Sequence, residues 1–237
     1  MVNQYLANAR GAAPLGIAHI EMALGILAAA CPAVTSFLDL GCGDALLSSA
    51  ILEEHRFAFG VLVDESEGVL DLARRRLHEH GDRVAFVRAD LHRPSWGEAL
   101  PDRGPFNAVI SAFALSSAAE ARKREVFREV FDLLRPGGVF LCIEHVSSTT
   151  RWTQSPADDY LIDAIFGEAI HRAPGKTRAE VAQEYYHRAS RVGAATAPLE
   201  VQCEWLREIG FESVECFLKV QELALFGGQR GGAGADL

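Results

Sequence analysis

Phe37-Leu38-Asp39-Leu40-Gly41-Cys42-Gly43-Asp44-Ala45 places two glycines two positions apart at the end of an apolar run. A strand entering such a turn, with a helix beginning at about Leu46, lets the backbone approach a ligand closely and aims amide groups at it. The third glycine of a dinucleotide fingerprint would fall on Leu46, and the Lys-Ser or Lys-Thr pair of a phosphate loop is absent. The turn therefore serves equally as a plain strand-to-helix connection. Asp64 ends the next apolar run, 23 residues after Gly41. A carboxylate there can accept both hydroxyl hydrogens of a ribose. Asp90 closes the third run in Arg88-Ala89-Asp90-Leu91 and can accept from an adenine amino group. Ser111 follows the fourth run, beside the same crevice. Each acid alone also reads as a helix cap or a solvated loop residue. Their order points to one crevice at the carboxyl ends of neighbouring strands.

The elements that must position these residues alternate. Short runs rich in Val, Ile, Leu and Phe at 34–40, 60–64, 84–88, 106–111 and 139–145 read as buried strands. Between them, Leu46, Leu47, Ala50 and Ile51 share one helical face, as do Leu70, Ala73 and Leu77, and Phe127, Val130, Phe131 and Leu134. This rhythm predicts an α/β fold, doubly wound and Rossmann-like, with helices on both faces of a mostly parallel seven-stranded sheet. Residues 1–33 form an N-terminal helical segment, with a helix over 14–30 ended by Pro32, and 34–146 form the cofactor-binding core. Arg135-Pro136-Gly137-Gly138 reads as a sharp turn between helix and strand. The rhythm stops over 147–202, a helical insertion expected to lie as a lid over the strand ends. It returns over 203–228, with strands at 214–218 and 222–226. The glycine-rich stretch from Gly227 predicts a frayed end, with 229–237 as a flexible tail.

Composition excludes several classes. The chain has 237 residues, 49% hydrophobic and 23% charged, the balance of a folded globular protein. The longest apolar run, Met22 to Ala30, falls short of the roughly 20 residues that cross a bilayer. No charged-then-apolar leader opens it, so a cytoplasmic location without membrane contact is expected. The net charge of −9 argues against general nucleic-acid binding, which rests on Lys and Arg. Five cysteines, an odd number with no Cys-x-x-Cys pair, suggest neither a disulfide framework nor a zinc site. Cys142 and His145 would point to opposite faces of one strand, and no metal is expected.

The ordered set Leu38-Asp39-Leu40-Gly41-Cys42-Gly43, Val63-Asp64, Ala89-Asp90-Leu91, Phe106-Asn107-Ala108-Val109-Ile110-Ser111 and Leu133-Leu134-Arg135-Pro136-Gly137-Gly138 resembles the class I S-adenosylmethionine-dependent methyltransferases. Pro198-Leu199, Gln202, Trp205-Leu206, Gly210-Phe211, Cys216-Phe217 and Ala224-Leu225-Phe226-Gly227-Gly228 are similar to a bacterial small-molecule branch of that family. Two departures stand out: Ala45 replaces the third motif glycine, and Asn107 a frequent Asp. Leu115-Ser116-Ser117 stands where the branch often has Leu-His-His, so no role of those histidines transfers. The resemblance implies S-adenosylmethionine as cofactor, with S-adenosylhomocysteine as product. Asp39, Gly41, Cys42 and Gly43 would hold its methionine end. Asp64 and Glu65 would take the ribose, Ala89, Asp90 and Leu91 the adenine, with Ser111 alongside. Arg10 would reach the cofactor carboxylate.

Methyl transfer is an in-line displacement that rests chiefly on positioning, so no catalytic triad is needed. A base is required only if the acceptor must lose a proton. His145 is the candidate, ending the fifth strand in Ile143-Glu144-His145. His171 and His187 in the insertion can face the same pocket. Trp152, Tyr160, Phe166, Tyr185 and Tyr186 can wall a pocket for a flat or cationic acceptor, or simply pack the lid. Arg172, Lys176, Arg178, Arg188 and Arg191 suit an acidic metabolite or form a solvated face. The expected activity is transfer of a methyl to O, N or C of a small-molecule acceptor, secondary metabolites included, by a monomer or homodimer. The alternatives are methylation of a tRNA or other RNA base, and cofactor binding without catalysis.

Overall fold

A computed structural model of the protein describes residues 16–101, 104–116, 118–147, 151–172, 175–187, 197–220 and 222–232. Among the described residues, helix α1 (Gly16–Ala30) precedes the sheet. Then β1 (Ser36–Leu40), α2 (Leu46–Glu54), β2 (Phe59–Asp64), α3 (Glu67–Arg76), β3 (Val84–Arg88), β4 (Phe106–Ala112), α4 (Glu120–Leu133) and β5 (Leu134–His145) follow in alternation. Next come α5 (Arg151–Arg172), α6 (Arg178–Tyr186), α7 (Leu199–Ile209), β6 (Phe211–Val220) and β7 (Leu223–Arg230).

The sheet has seven strands in the order β3-β2-β1-β4-β5-β7-β6. The first five neighbours run parallel, and β7 lies antiparallel between β5 and β6. The fold predicted from the alternation is thus the fold observed. Strands β1, β2 and β4 read as continuous apolar runs because both faces are covered. Leu27, Ile51, Leu62 and Leu70 fill one side, with α1, α2 and α3. Phe127, Val130, Phe140 and Leu206 fill the other, with α4 and α7. Chain order reverses between β1 and β4, the position at which open parallel sheets form their ligand crevice.

At the opposite edge of these strands Asn107 ties β4 to the entry of β1. Its Oδ1 accepts from Thr35 N (3.2 Å), Thr35 Oγ1 (2.7 Å), Ser36 N (3.0 Å) and Ser36 Oγ (3.2 Å). Its Nδ2 donates to Cys31 Sγ at 3.7 Å, which a carboxylate at this position would be unable to do.

The structure differs from the sequence reading at two turns. Arg135-Pro136-Gly137-Gly138 does not separate helix from strand. β5 opens at Leu134, paired with Phe106, and the four residues bulge out before pairing resumes at Val139 with Ala108. Nor is the chain frayed at Gly227. There β7 approaches β5 so closely that a Cβ on Gly227 would lie 1.9 Å from the Phe140 carbonyl oxygen. The strand continues to Arg230, inside the predicted tail, and residues 233–237 of that tail lie outside the described residues.

Arg230 closes the C-terminal end of α4. Its Nη1 donates to the carbonyls of Phe131 (3.0 Å), Asp132 (3.1 Å) and Leu134 (2.6 Å), and its guanidinium lies 5.0 Å over the Phe131 ring. A cation at a helix C-terminus meets both unsatisfied carbonyls and the negative end of the dipole. Arg230→Ala is expected to lower stability by about 1–3 kcal/mol. Denaturant unfolding measures this; an unchanged midpoint would remove the arginine from the account of helix closure.

Candidate active site

A cleft of about 400 Å3 opens at the carboxyl ends of β1 to β4. Its walls come from all four connections: Gly41 and Gly43 after β1, Asp64 and Glu65 after β2, Ala89, Leu91 and His92 after β3, and Ala112, Phe113 and Ala114 after β4. Volumes of this size hold small ligands and cofactors.

The glycine loop is shaped by three left-handed residues, Gly41 (φ +66°), Gly43 (φ +56°) and Ala45 (φ +61°). They turn the chain from β1 into α2 within five residues. At Gly41 a second constraint acts, because a Cβ would lie 2.3 Å from the Ala114 Cβ. Only glycine lets the two loops meet there. Cys42 N donates to Val63 O at 2.9 Å, which fastens the loop to β2. The Cys42 side chain is buried, its Sγ 3.7 Å from Gly43 O. Burial, followed by the nearby Asp39 and Asp64 carboxylates, pushes its thiol well above the usual range, so it is no nucleophile.

Asp64 is oriented by backbone. Its Oδ2 accepts from Gly43 N at 3.2 Å and its Oδ1 from Ser66 N at 3.0 Å. Each carboxylate oxygen keeps a lone pair for a hydroxyl hydrogen, and Glu65 adds a second carboxylate to the same wall. Asp39 lies behind the loop, not in the wall. It is 2% exposed and accepts from Ser48 Oγ at 2.6 Å. Burial, opposed by the bond from Ser48 and aided by the charge of Asp64, raises its pKa to about 7.

Among the other residues named from sequence, Ala89 and Leu91 form wall, and Asp90 stands in the same loop, accepting from His92 N at 2.9 Å. Ser111 does not reach the cleft. It is fully buried and donates to Leu40 O at 3.3 Å, joining β4 to β1, and Ala112, Phe113 and Ala114 present the wall in its place. Arg10 lies outside the described residues.

His145 ends β5, half-buried, with its ring centroid 5.4 Å from that of Phe113. Phe113 is the aromatic side chain in the cleft wall, held at φ +61° with its N donating to Ile143 O at 2.8 Å. Sequence reasoning missed it, because nothing in the residue types signals a left-handed phenylalanine. It also missed Glu144. This carboxylate is fully buried and accepts from Leu115 N (2.8 Å), His145 N (2.9 Å) and Ser116 N, pinning the loop after β4. Burial raises its pKa against the neighbouring Lys123 charge and these amides. Lys123 is 1% exposed, and its Nζ makes no hydrogen bond. A charged residue inside an apolar strand was the available signal for Glu144.

The described aromatic and basic side chains of the insertion go elsewhere. α5 and α6 pack on each other around Ile162, Val181 and Tyr185. The Tyr185 ring is buried there and its hydroxyl donates to Asp158 Oδ1 at 3.1 Å. Tyr160 and Tyr186 are exposed, and none of the three is among the described residues lining the cleft. Trp152 and His171 sit on α5 with side chains outside the description, while His187 is exposed and bonded to Gln183 O. Lys176 pairs with Glu184 at 2.7 Å, and Arg178 with Asp159 at 2.8 Å and Asp163 at 2.5 Å, so these cations are spent locally. Arg188 and Arg191 lie outside the described residues. Among the described residues no three His, Cys, Asp or Glu side chains group as metal ligands.

Comparison with known proteins agrees with this geometry. The profile of a family described as a methyltransferase domain matches residues 37–138. Demethylmenaquinone methyltransferase of Clavibacter sepedonicus is 32% identical over 179 residues, covering 75% of this chain and 66% of that protein. Carboxy-S-adenosyl-L-methionine synthase of Aeromonas salmonicida is 27% identical over 202 residues, 83% of this chain and 75% of that protein. An O-methyltransferase family protein from Burkholderia thailandensis superposes with a TM-score of 0.61 at 18% identity, over 91% of this chain and 58% of that one. The chain thus spans just under two thirds of the first relative and little more than half of the solved structure. Motif order, strand order and these similarities agree, and the chain belongs to the class I S-adenosylmethionine-dependent methyltransferase family.

Proposed function

We propose that the protein transfers a methyl group from S-adenosylmethionine to O, N or C of a small-molecule acceptor. The observation that carries this reading is Asp64, a carboxylate held by Gly43 N and Ser66 N at the mouth of a glycine-walled cleft. The residues present suit the cofactor. A Cβ would fill the cradle at Gly41, and the wall offers Asp64 and Glu65 to hydroxyls. The described wall residues include no Lys or Arg to pair an added carboxylate, which favours the methyl sulfonium over a carboxymethyl one.

When bound, the cofactor supplies a methyl group on a sulfonium centre. Asp64 and Glu65 accept from the ribose, Asp90 from the adenine amino group, and the 41–43 backbone makes room for the methionine end. Asp39 adds negative potential from behind once pH exceeds about 7, where it ionises. Arg10 is assigned to the carboxylate. Phe113 supplies the flat wall next to His145, the assigned base for acceptors that must lose a proton. The helical insertion, with Trp152, Tyr160, His171, Tyr185 and Tyr186, is assigned as a lid on the acceptor side. A flat acceptor is supported by relatives named for methylating demethylmenaquinone and bacteriochlorophyllide d. The described residues contain no helix long and apolar enough to cross a membrane, and we place the protein in the cytoplasm as a monomer or homodimer. Cofactor binding without turnover is the second reading, favoured by Leu115-Ser116-Ser117 in place of paired histidines.

Calorimetry with S-adenosylhomocysteine is the direct test, and no binding would end both readings. Methyl transfer to a quinol or phenol in a broad acceptor screen separates them. Asp64→Ala should weaken cofactor binding by about 1–3 kcal/mol, measured where the variant is folded, since Gly43 N and Ser66 N also lose their acceptor. His145→Ala should keep cofactor affinity and lower turnover; an unaltered pH–rate profile would exclude a base role. Asp39 carries a pH signature. Its pKa is about 7 in the fold against an ordinary 3.8, so ionisation opposes folding. The cost is absent below pH 3.8, grows as pH rises to about 7, and persists above. Asp39→Asn should therefore be more stable than the parent at pH 8, with the gain vanishing near pH 4. Equal gains at both pH values would refute the buried-charge account.

A further inference from the structure

Arg122, in the first turn of α4, is 8% exposed, and all five of its N–H donors are engaged. Nε donates to Leu91 O at 2.9 Å and Nη2 to Arg93 O at 3.2 Å. The remaining donors meet Glu129 Oε1 and Oε2, both at 2.9 Å, and Glu125 Oε2 at 3.0 Å. Glu129 is itself fixed by Trp96 Nε1 at 2.5 Å, and the Trp96 ring is buried. The fork is held rigidly on one side and grips the loop after β3 on the other.

The two carbonyls it grips belong to the segment facing the cleft, where Leu91 and His92 are wall residues. The peptide joining Leu91 to His92 is bound at both ends. Its oxygen goes to Arg122 and its N–H to Asp90 Oδ1 at 2.9 Å. The plane of that peptide therefore anchors Oδ1 of the Asp90 carboxylate, whose Oδ2 lies 3.4 Å from Arg93 Nε. Lysine offers three donors from one point and cannot bridge two carbonyls and two carboxylates in this way.

We propose that Arg122 is a positioning residue that sets selectivity for a 6-amino purine by fixing the peptide plane that aims Asp90. The inference rests on the cleft holding the adenosyl group, as argued above. It assigns recognition of the base to a side chain that never touches it, acting through one peptide group.

The test compares S-adenosylhomocysteine with its 6-oxo analogue, S-inosylhomocysteine, by calorimetry. The parent should prefer the amino ligand. Arg122→Met should weaken the amino ligand about tenfold, as for one charged hydrogen bond lost, and the oxo ligand by less than about threefold. Arg122→Lys should fall between, and it carries the comparison if the methionine variant does not fold. A role in stability alone lowers the unfolding midpoint and leaves the preference intact; that result overturns the proposal. A parent that binds both ligands equally overturns it too, while a parent that binds neither overturns the cofactor assignment beneath it.

Discussion

Gly41 meets Ala114 at a separation that admits no side chain, and the cleft depends on that contact. It joins the loop after β1 to the loop after β4 at the point where strand order reverses. The left-handed run at Gly41, Gly43 and Ala45 brings Gly43 N to Asp64, so the turn also orients the carboxylate of the neighbouring strand. Geometry, electrostatics and access at the site follow from a few atoms of backbone.

Behind the walls the protein concentrates buried charge. Asp39 sits under the glycine loop, and Glu144 beside Lys123 under the loop after β4. Such groups are costly in an apolar interior and stabilise little in net terms. Here each holds something that faces the cleft or shapes its field. Glu144 collects three amides of the 115–116 and 145 segments, and Asp39 binds Ser48 at the start of α2. The core proper is apolar; of its buried polar residues Asp39, Ser111 and Glu144 sit where ligand-facing loops leave the sheet, while Asn107 sits at the opposite edge.

The strands were legible because burial on both faces leaves continuous runs of Val, Ile, Leu and Phe. The loops carrying Gly41, Asp64 and Asp90 were legible as neighbours because consecutive strands deliver their ends to one crevice. What stayed hidden depends on side-chain direction or on neighbours distant in sequence. Ser111 has the position expected for a wall residue, yet its alternation in β4 turns it inward to Leu40. Gly227 looks like a flexible tail, but its missing side chain serves contact with Phe140, about ninety residues away. Tyr185 reads as a pocket aromatic and is buried between two helices. The fork at Arg122 joins α4 to the loop after β3, about thirty residues earlier, a pairing that no local pattern encodes.

The antiparallel seat of β7 constrains the route by which the sheet is built. β6 is made before β7 and hydrogen-bonds to no other described strand, so among these strands it has no template until its successor arrives. β6 joins the sheet only through β7, and β7 pairs with β5 so that Val139 meets Gln229 across some ninety residues of chain. Until that late docking the β5 edge stands bare, a ladder of open amides and carbonyls inviting a neighbouring nascent molecule, which makes this seam the vulnerable one during synthesis.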